Sequence, residues 1–143
     1  MKLYVIRHGN TDSNRLDIYN GKLLNEDINN IGIKQAQEAS KKIKNLNLDL
    51  IICSPLLRTR HTCDIINSNK IKVIYDDRIE ERNCGVLTNT KIDNFYYTEY
   101  WNYYSKVKID NLETVPELFK RVNLFLDEIK KKYRGQNILL VTH

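Results

Sequence analysis

A short apolar run, Leu3-Tyr-Val-Ile6, stops at Arg7-His8-Gly9, and this junction constrains the chain more than any other stretch. Such a run has the length and character of a buried strand. A cation, an imidazole and a conformationally permissive glycine then follow without a gap, the residue types that gather around an anion. Asn10-Thr-Asp-Ser-Asn14 comes next and is rich in helix-capping side chains. The backbone is therefore expected to turn into a helix whose unpaired N–H groups point back at His8.

Phosphoryl transfer asks little of a protein beyond in-line positioning and positive charge around three peripheral oxygens. Arg7 can grip two of those oxygens. A neutral His8 can attack phosphorus through a ring nitrogen and form a phosphohistidine, and neighbouring guanidinium charge would lower its pKa toward the neutral form. On this tripeptide alone a plainer alternative stands equally well, with Arg7 closing an edge strand in solvent and His8 an ordinary loop histidine.

Three later groups change that balance. Arg7-His8-Gly9-x-Thr11-x-x-Asn14 is followed by Ser54-Pro55-Leu56-x-Arg58, then Glu81-x-x-x-Gly85, then Val141-Thr142-His143. In this order, over residues 2 to 143, they resemble the histidine phosphatase superfamily, the phosphoglycerate-mutase-like proteins. Any one motif is weak, and four in register are strong. The resemblance implies that His8 is the nucleophile, that Arg7, Arg58 and His143 bind the phosphoryl group, that Asn14 orients it and that Glu81 moves the proton. Glu80 is the competing acid, and the four-residue spacing to Gly85 favours Glu81. Backbone phosphate contacts carry over to Asn20 and Gly21, for which a plain type I′ turn is an equal alternative. Neither a metal nor an organic cofactor is implied.

The chain of 143 residues is expected to form one domain, and its run from strand to strand leaves no room for a second. No apolar stretch approaches the ~20 residues of a membrane span, and the N-terminus opens directly into a strand without a targeting segment, so a cytoplasmic protein is the default. The net charge of +5 raises nucleic acid as a partner, yet the lysines are dispersed and Lys130-Lys-Lys132 is the single run. That run suits the C-terminal end of a helix dipole better than a nucleic-acid patch. Cys53, Cys63 and Cys84 are odd in number and without metal-type spacing, so free thiols are expected.

Strands are expected at Asp49–Ser54, Lys72–Tyr75 and Gln136–Thr142 in addition to the first, with helices between them. Asn30 opens one helix, with Ile33, Ala36, Ser40 and Ile43 on a face. Pro55 sits in the first turn of the next, which runs to about Asn67 with Arg58 one turn in and Arg60 and His61 on the surface. Thr114 and Glu117 form a capping box ahead of the last, with Val115, Leu118, Val122, Phe125, Leu126 and Ile129 at helical spacing. Alternation of this kind predicts an α/β fold of three layers, a mostly parallel central sheet with helices on both faces, as in the phosphoglycerate-mutase-like proteins. The site belongs at the C-terminal ends of the strands.

After Gly85 the likeness to the family thins. Phe95-Tyr-Tyr-Thr-Glu-Tyr-Trp-Asn-Tyr-Tyr104, the densest aromatic stretch, is expected mostly to pack against the core or a partner, with a lid over the substrate as the alternative. The sequence stops at His143, where the family continues with glycine and at least one further element, so a truncated domain is expected. A carboxylate at that position would place negative charge beside the phosphate pocket. The combined expectation is a phosphomonoester hydrolase acting through phospho-His8 on a small phosphorylated metabolite. Phosphoglycerate mutase-type transfer and a catalytically weak phosphate-binding module are its rivals, and a homodimer is left open.

Overall fold

A computed structural model describes all of residues 1–143. Four parallel strands, β1 (Lys2–Arg7), β2 (Leu50–Cys53), β3 (Val73–Tyr75) and β4 (Asn137–Thr142), form one sheet in the order β1-β4-β2-β3. The two inner strands are the two continuous apolar runs, as burial on both faces of a parallel sheet requires. All four residues of β2 are buried, whereas β1 and β3 are edge strands with no buried residue, so the Leu3–Ile6 run, expected as a buried strand, lies at the sheet edge with Val5 exposed.

Side chains alternate across the sheet and divide the core in two. Ile51 and Cys53 of β2, with Leu139 and Val141 of β4, meet Ala36, Ile43, Cys63 and Ile66 from α2 (Asn30–Ile43) and α3 (Leu57–Ile66). Leu50, Ile52, Ile138 and Leu140 point the other way, onto Phe125 and Ile129 of α4 (Val115–Lys132) and Ile79. The sheet is thus covered on both faces, and the expected α/β architecture is the one found. Thr114 and Glu117 make the expected capping box, and Arg60 and His61 lie outward, His61 held by Asp27 at 2.9 Å.

Two local expectations change. Pro55 precedes the helix, which starts at Leu57 after Leu56 as cap, and the missing side-chain cap is supplied from afar by Asn25, whose Oδ1 accepts from the Leu57 N–H at 2.7 Å. The helix after His8 is a single turn, α1 (Asp12–Arg15). Its N–H groups do not face His8, because Asn14 N–H is taken by Thr11 Oγ1 and Ser13 N–H by Glu26.

The loop carrying His8 is instead set by close backbone contact with α2. Asn29, the cap of α2, donates its N–H to the Asn10 carbonyl at 2.9 Å and its amide nitrogen to Asn10 Oδ1 at 2.8 Å. A Cβ at Gly9 would come within 2.6 Å of the Gly32 carbonyl oxygen, and one at Gly32 within 2.4 Å of the Asn10 carbonyl oxygen. Both obstacles are backbone, with no flexible side chain to give way. Gly32→Ala is therefore expected to destabilise the fold by about 1–3 kcal/mol through overpacking, outweighing the ~1 kcal/mol that alanine gains over glycine in a helix. A urea midpoint equal to or above that of the wild type would contradict this account.

Candidate active site

The pairing of β1 with β4 brings the two site histidines together. Arg7 lies opposite Thr142, and His8 donates its N–H to the Thr142 carbonyl at 2.9 Å, so His8 and His143 leave adjacent strands side by side. Their ring centroids are 5.2 Å apart. Both rings are nearly inaccessible, His8 at 6% exposure and the His143 side chain at 4%.

Each imidazole is tied by one nitrogen. His8 Nδ1 lies 2.7 Å from the Gly9 carbonyl, an acceptor, so Nδ1 carries the proton and Nε2 keeps its lone pair. The loop is held from behind by Thr62, whose hydroxyl accepts the Gly9 N–H at 3.0 Å and donates to the Arg58 carbonyl at 2.7 Å. His143 Nε2 is 2.9 Å from the Ser54 hydroxyl, leaving Nδ1 buried, without a partner and 4.0 Å from Glu81 Oε2.

His8 is neutral because its pKa is pushed down to about 4, and the larger cause is burial, with the Arg58 and Arg7 charges adding to it. The expected cause, neighbouring guanidinium charge, is the lesser one. Desolvation likewise drives the His143 pKa down, ahead of the charges of Arg58, His8 and Arg7.

The two arginines are placed differently. Arg7 is exposed at the mouth of the site. Arg58 is wholly buried and spends its terminal nitrogens on backbone, one on the Leu24 carbonyl at 3.1 Å and one on the Gly21 carbonyl at 2.9 Å. Its Nε remains buried without a partner. Arg58 thus offers a fixed charge, its unpartnered Nε–H and the second N–H of each terminal nitrogen. Its partner Gly21, at φ +59°, supplies a carbonyl to that arginine, and a Cβ there would strike Cys84 Sγ at 2.6 Å.

Asn20 is engaged through its side chain: its amide nitrogen donates to Glu26 Oε1 at 2.6 Å and to Thr11 Oγ1 at 3.4 Å, and its Oδ1 is buried without a partner. Asn14 Oδ1 accepts the Thr11 N–H at 3.2 Å, which leaves its amide nitrogen as a donor. Arg7, Asn14, Asn20, Gly21 and Glu81 line one cavity, and Arg7, His8 and Asn14 line an adjoining one. Arg7, His8, Asn14, Asn20, Gly21 and Glu81 therefore share two adjoining cavities, whereas Arg58 and His143 line neither.

Glu81 is separated from its competitor by its surroundings. Glu80 pairs with Lys22 at 3.6 Å, while Glu81, 26% exposed, faces His143. The segment is fastened to α4 by Arg121, which donates to the carbonyls of Arg78, Glu80 and Glu81 at 2.8, 3.0 and 3.3 Å. Arg82, 2% exposed, donates to the carbonyls of Glu113 and Tyr100 and lies against the Tyr100 and Trp101 rings.

Sequence reasoning missed Ser54 as a histidine partner, along with Thr62, Glu26, Arg82 and Arg121. Thr62 had a usable signal, since it lies one helical turn after Arg58 and shares its face. Glu26 and Arg121 had none, because loop closure and helix packing bring them in.

Comparison with known proteins agrees with this geometry. The model of the histidine phosphatase superfamily (branch 1) matches residues 3–143. The chain belongs to that superfamily. It is 30% identical to Phosphoserine phosphatase 1 of Hydrogenobacter thermophilus, covering 100% of this chain and 71% of that protein. It is 31% identical to the Probable phosphoglycerate mutase GpmB of Yersinia pestis, covering 100% and 69%. Among solved structures, the alpha-ribazole phosphatase of Shigella flexneri superposes with a TM-score of 0.82 at 27% identity, covering 100% of this chain and 74% of that one. The phosphoglycerate mutase of Bacillus anthracis gives 0.83 at 22% identity, over 99% and 74%, and shares the fold. As a member of this superfamily the chain is an enzyme of the phosphatase and mutase group. No helix is long and apolar enough to cross a membrane.

The depressed His8 pKa has a consequence for stability. An unfolded histidine takes up its proton near 6.5, the folded one only near 4, so the unfolded chain binds more protons between these values. Stability present above pH 6.5 is lost as pH falls toward 4. In an NMR titration the His8 ring, assigned by His8→Asn, is expected to titrate near 4, and the unfolding free energy of His8→Asn is expected to depend less on pH over that window. A His8 midpoint near 6.5 would contradict the burial argument.

Proposed function

We propose that the protein is a phosphomonoester hydrolase working through a phosphohistidine at His8. The observation that carries this is the state of the His8 ring: neutral, with Nδ1 fixed on the Gly9 carbonyl and Nε2 left as a nucleophile between the charges of Arg7 and Arg58. Nε2 attacks phosphorus and forms the N–P bond as the ester P–O bond breaks. Glu81 in its acid form gives its proton to the departing oxygen. Glu81, now a carboxylate, takes a proton from water, whose oxygen bonds to phosphorus as the N–P bond breaks, returning the lone pair to His8 Nε2 and releasing phosphate. Arg7, the Nε–H of Arg58, Asn14 and His143 offer donors to the phosphoryl oxygens through both steps.

The substrate in this reading is a small phosphorylated metabolite. A cytoplasmic setting, in which the thiols of Cys53, Cys63 and Cys84 stay reduced, belongs to it as well. The mutase reading has the likeness to the Yersinia protein in its favour, and it differs in the fate of the phosphoryl group, which would pass to a phosphoglycerate instead of water.

Rapid-quench trapping with a labelled phosphomonoester, stopped in base, tests the intermediate: label and phosphate release are expected from the wild type and neither from His8→Ala. Release without any trapped label under burst conditions would count against the covalent route, and transfer of label to 3-phosphoglycerate in preference to water would favour the mutase. Glu81→Gln is expected to lower kcat by about 10²–10⁴-fold on an alkyl phosphate. It should cost much less on p-nitrophenyl phosphate, whose leaving group needs no proton. Equal losses on both substrates would remove Glu81 from the acid role.

A further inference from the structure

The carbon side of the substrate can be located from the same chemistry, on the reading of His8 and Glu81 proposed above. An in-line displacement puts the leaving oxygen opposite the attacking nitrogen and beside the acid that protonates it. The leaving group therefore belongs where the phosphate-binding side chains and Glu81 share a cavity. Three cavities border the site. One, of about 360 Å³ against α2, holds Arg7, His8 and Asn14 but not Glu81. A second, of about 410 Å³ beside β1 and α4, joins Glu81 to one phosphoryl donor, His143, with Trp101 shared between it and the third. Its other lining is mostly aliphatic, and it reaches neither Arg7 nor Asn14. The third, of about 100 Å³, joins Arg7 and Asn14 to Glu81, and Tyr19, Tyr96, Tyr100 and Trp101 complete it.

This third wall presents rings more than hydroxyls. The Tyr100 hydroxyl is 3.0 Å from Cys84 Sγ, and the Tyr19 hydroxyl turns to Asp93 at 3.5 Å. Tyr96 stacks on Tyr100 with centroids 5.2 Å apart, and Trp101 meets Tyr100 edge-on at 5.0 Å. Tyr19 and Tyr100 are buried, whereas Trp101 is 47% exposed and has surface left to cover.

The charges around this cavity are equally informative. Arg7 and Glu81 are the charged side chains that line it, and Arg7 is committed to the phosphoryl group. Arg82, next in sequence to Glu81, has its guanidinium turned inward onto the Glu113 and Tyr100 carbonyls. Lys22 is paired with Glu80. A carboxylate on the leaving group would meet the Glu81 side chain and aromatic faces without a cation of its own, which is unfavourable in a partly desolvated cavity. An uncharged ring would meet matching surface, and a cavity of order 100–150 Å³ accepts one ring.

We propose that the substrate is the phosphomonoester of a small uncharged alcohol or phenol carrying a single ring or an apolar group of similar size, selected by Trp101 at the rim of the Tyr19–Tyr96–Tyr100 wall.

Trp101 is the one tryptophan of the chain, so intrinsic fluorescence reads this cavity directly. Titration of the full chain with phenylphosphonate, which cannot be hydrolysed at its P–C bond, is expected to change the emission saturably. Binding should be at least tenfold tighter than that of 3-phosphoglycerate or inorganic phosphate. In turnover, Trp101→Ala is expected to lower kcat/KM for phenyl phosphate about tenfold, as loss of one aromatic contact would, and to change that for glycerol 1-phosphate less than twofold. Trp101→Phe keeps a ring at the rim and is expected to retain most of the preference, which separates selection from a general folding defect.

Tighter binding of 3-phosphoglycerate than of phenylphosphonate, or equal losses on both esters in Trp101→Ala, would overturn the assignment while leaving the hydrolase standing. Saturable phenylphosphonate binding with no phosphate release from any ester would support the aromatic subsite and sink the hydrolase. Neither binding nor release would remove both.

Discussion

Parallel pairing of β1 with β4 is the constraint from which the site follows. The register sets Arg7 against Thr142, and both strands end at the same edge of the sheet, so each delivers a histidine into the same space. Because the strands are parallel, the 129 residues between them (8–136) must leave this edge and return to the opposite one, and α2, α3 and α4 carry the chain across the two faces. The layers that bury the sheet are thus the same elements that close the pocket: α3 supplies Arg58 and Thr62, the cap of α2 ties down Asn10, and Arg121 of α4 secures the Glu81 segment.

Stability is given up at the point of chemistry. Three buried side-chain atoms lack partners, Asn20 Oδ1, Arg58 Nε and His143 Nδ1, and all three belong to residues of the site. An unsatisfied buried polar atom costs about 1–3 kcal/mol. Elsewhere the fold satisfies such groups, even at the cap of α3, where Asn25 reaches across from another loop. Concentration of the exceptions in one place is what a pocket completed by a polar ligand would leave, with the Arg58 and His143 nitrogens as donors for phosphoryl oxygens and the Asn20 oxygen as an acceptor for a ligand or water O–H.

The fold was legible because its signals are local and periodic. The continuous apolar runs of β2 and β4, the Thr114–Glu117 box and the Asn29-Asn30 helix start each follow from a few neighbouring residues. His8 and His143 were legible for the same reason, standing at the ends of apolar runs. What could not be read is what distant segments do to those residues. Burial of His8, capture of the Arg58 guanidinium by the Leu24 and Gly21 carbonyls, and the inward turn of Arg82 all depend on how the 16–29 and 88–113 loops close over the strand ends. The aromatic stretch shows the same division. Packing was expected of most of it, yet Tyr97, Trp101, Tyr103 and Tyr104 are exposed and only Phe95, Tyr96 and Tyr100 pack into the cluster around Tyr19. Its edge on the Glu81 cavity depends on a single turn at Tyr96–Tyr100 held by Arg82.

Two identical side chains 5.2 Å apart can serve opposite purposes because their second nitrogens have different partners. A backbone carbonyl can only accept, so Gly9 fixes the proton of His8 on Nδ1 and leaves Nε2 with a lone pair, the requirement for attack on phosphorus. A hydroxyl can donate or accept, so Ser54 leaves the His143 tautomer adjustable. When Ser54 donates to Nε2, the proton of His143 sits on Nδ1, the atom that is buried, unpartnered and turned toward Glu81. In the proposed reaction His143 is then a neutral donor to a phosphoryl oxygen. Its burial and the surrounding guanidinium charge suit that state, because a second nearby cation would be costly while a neutral N–H is not. Division of labour between the two histidines thus comes from the atoms behind them, a carbonyl in one case and a serine hydroxyl in the other.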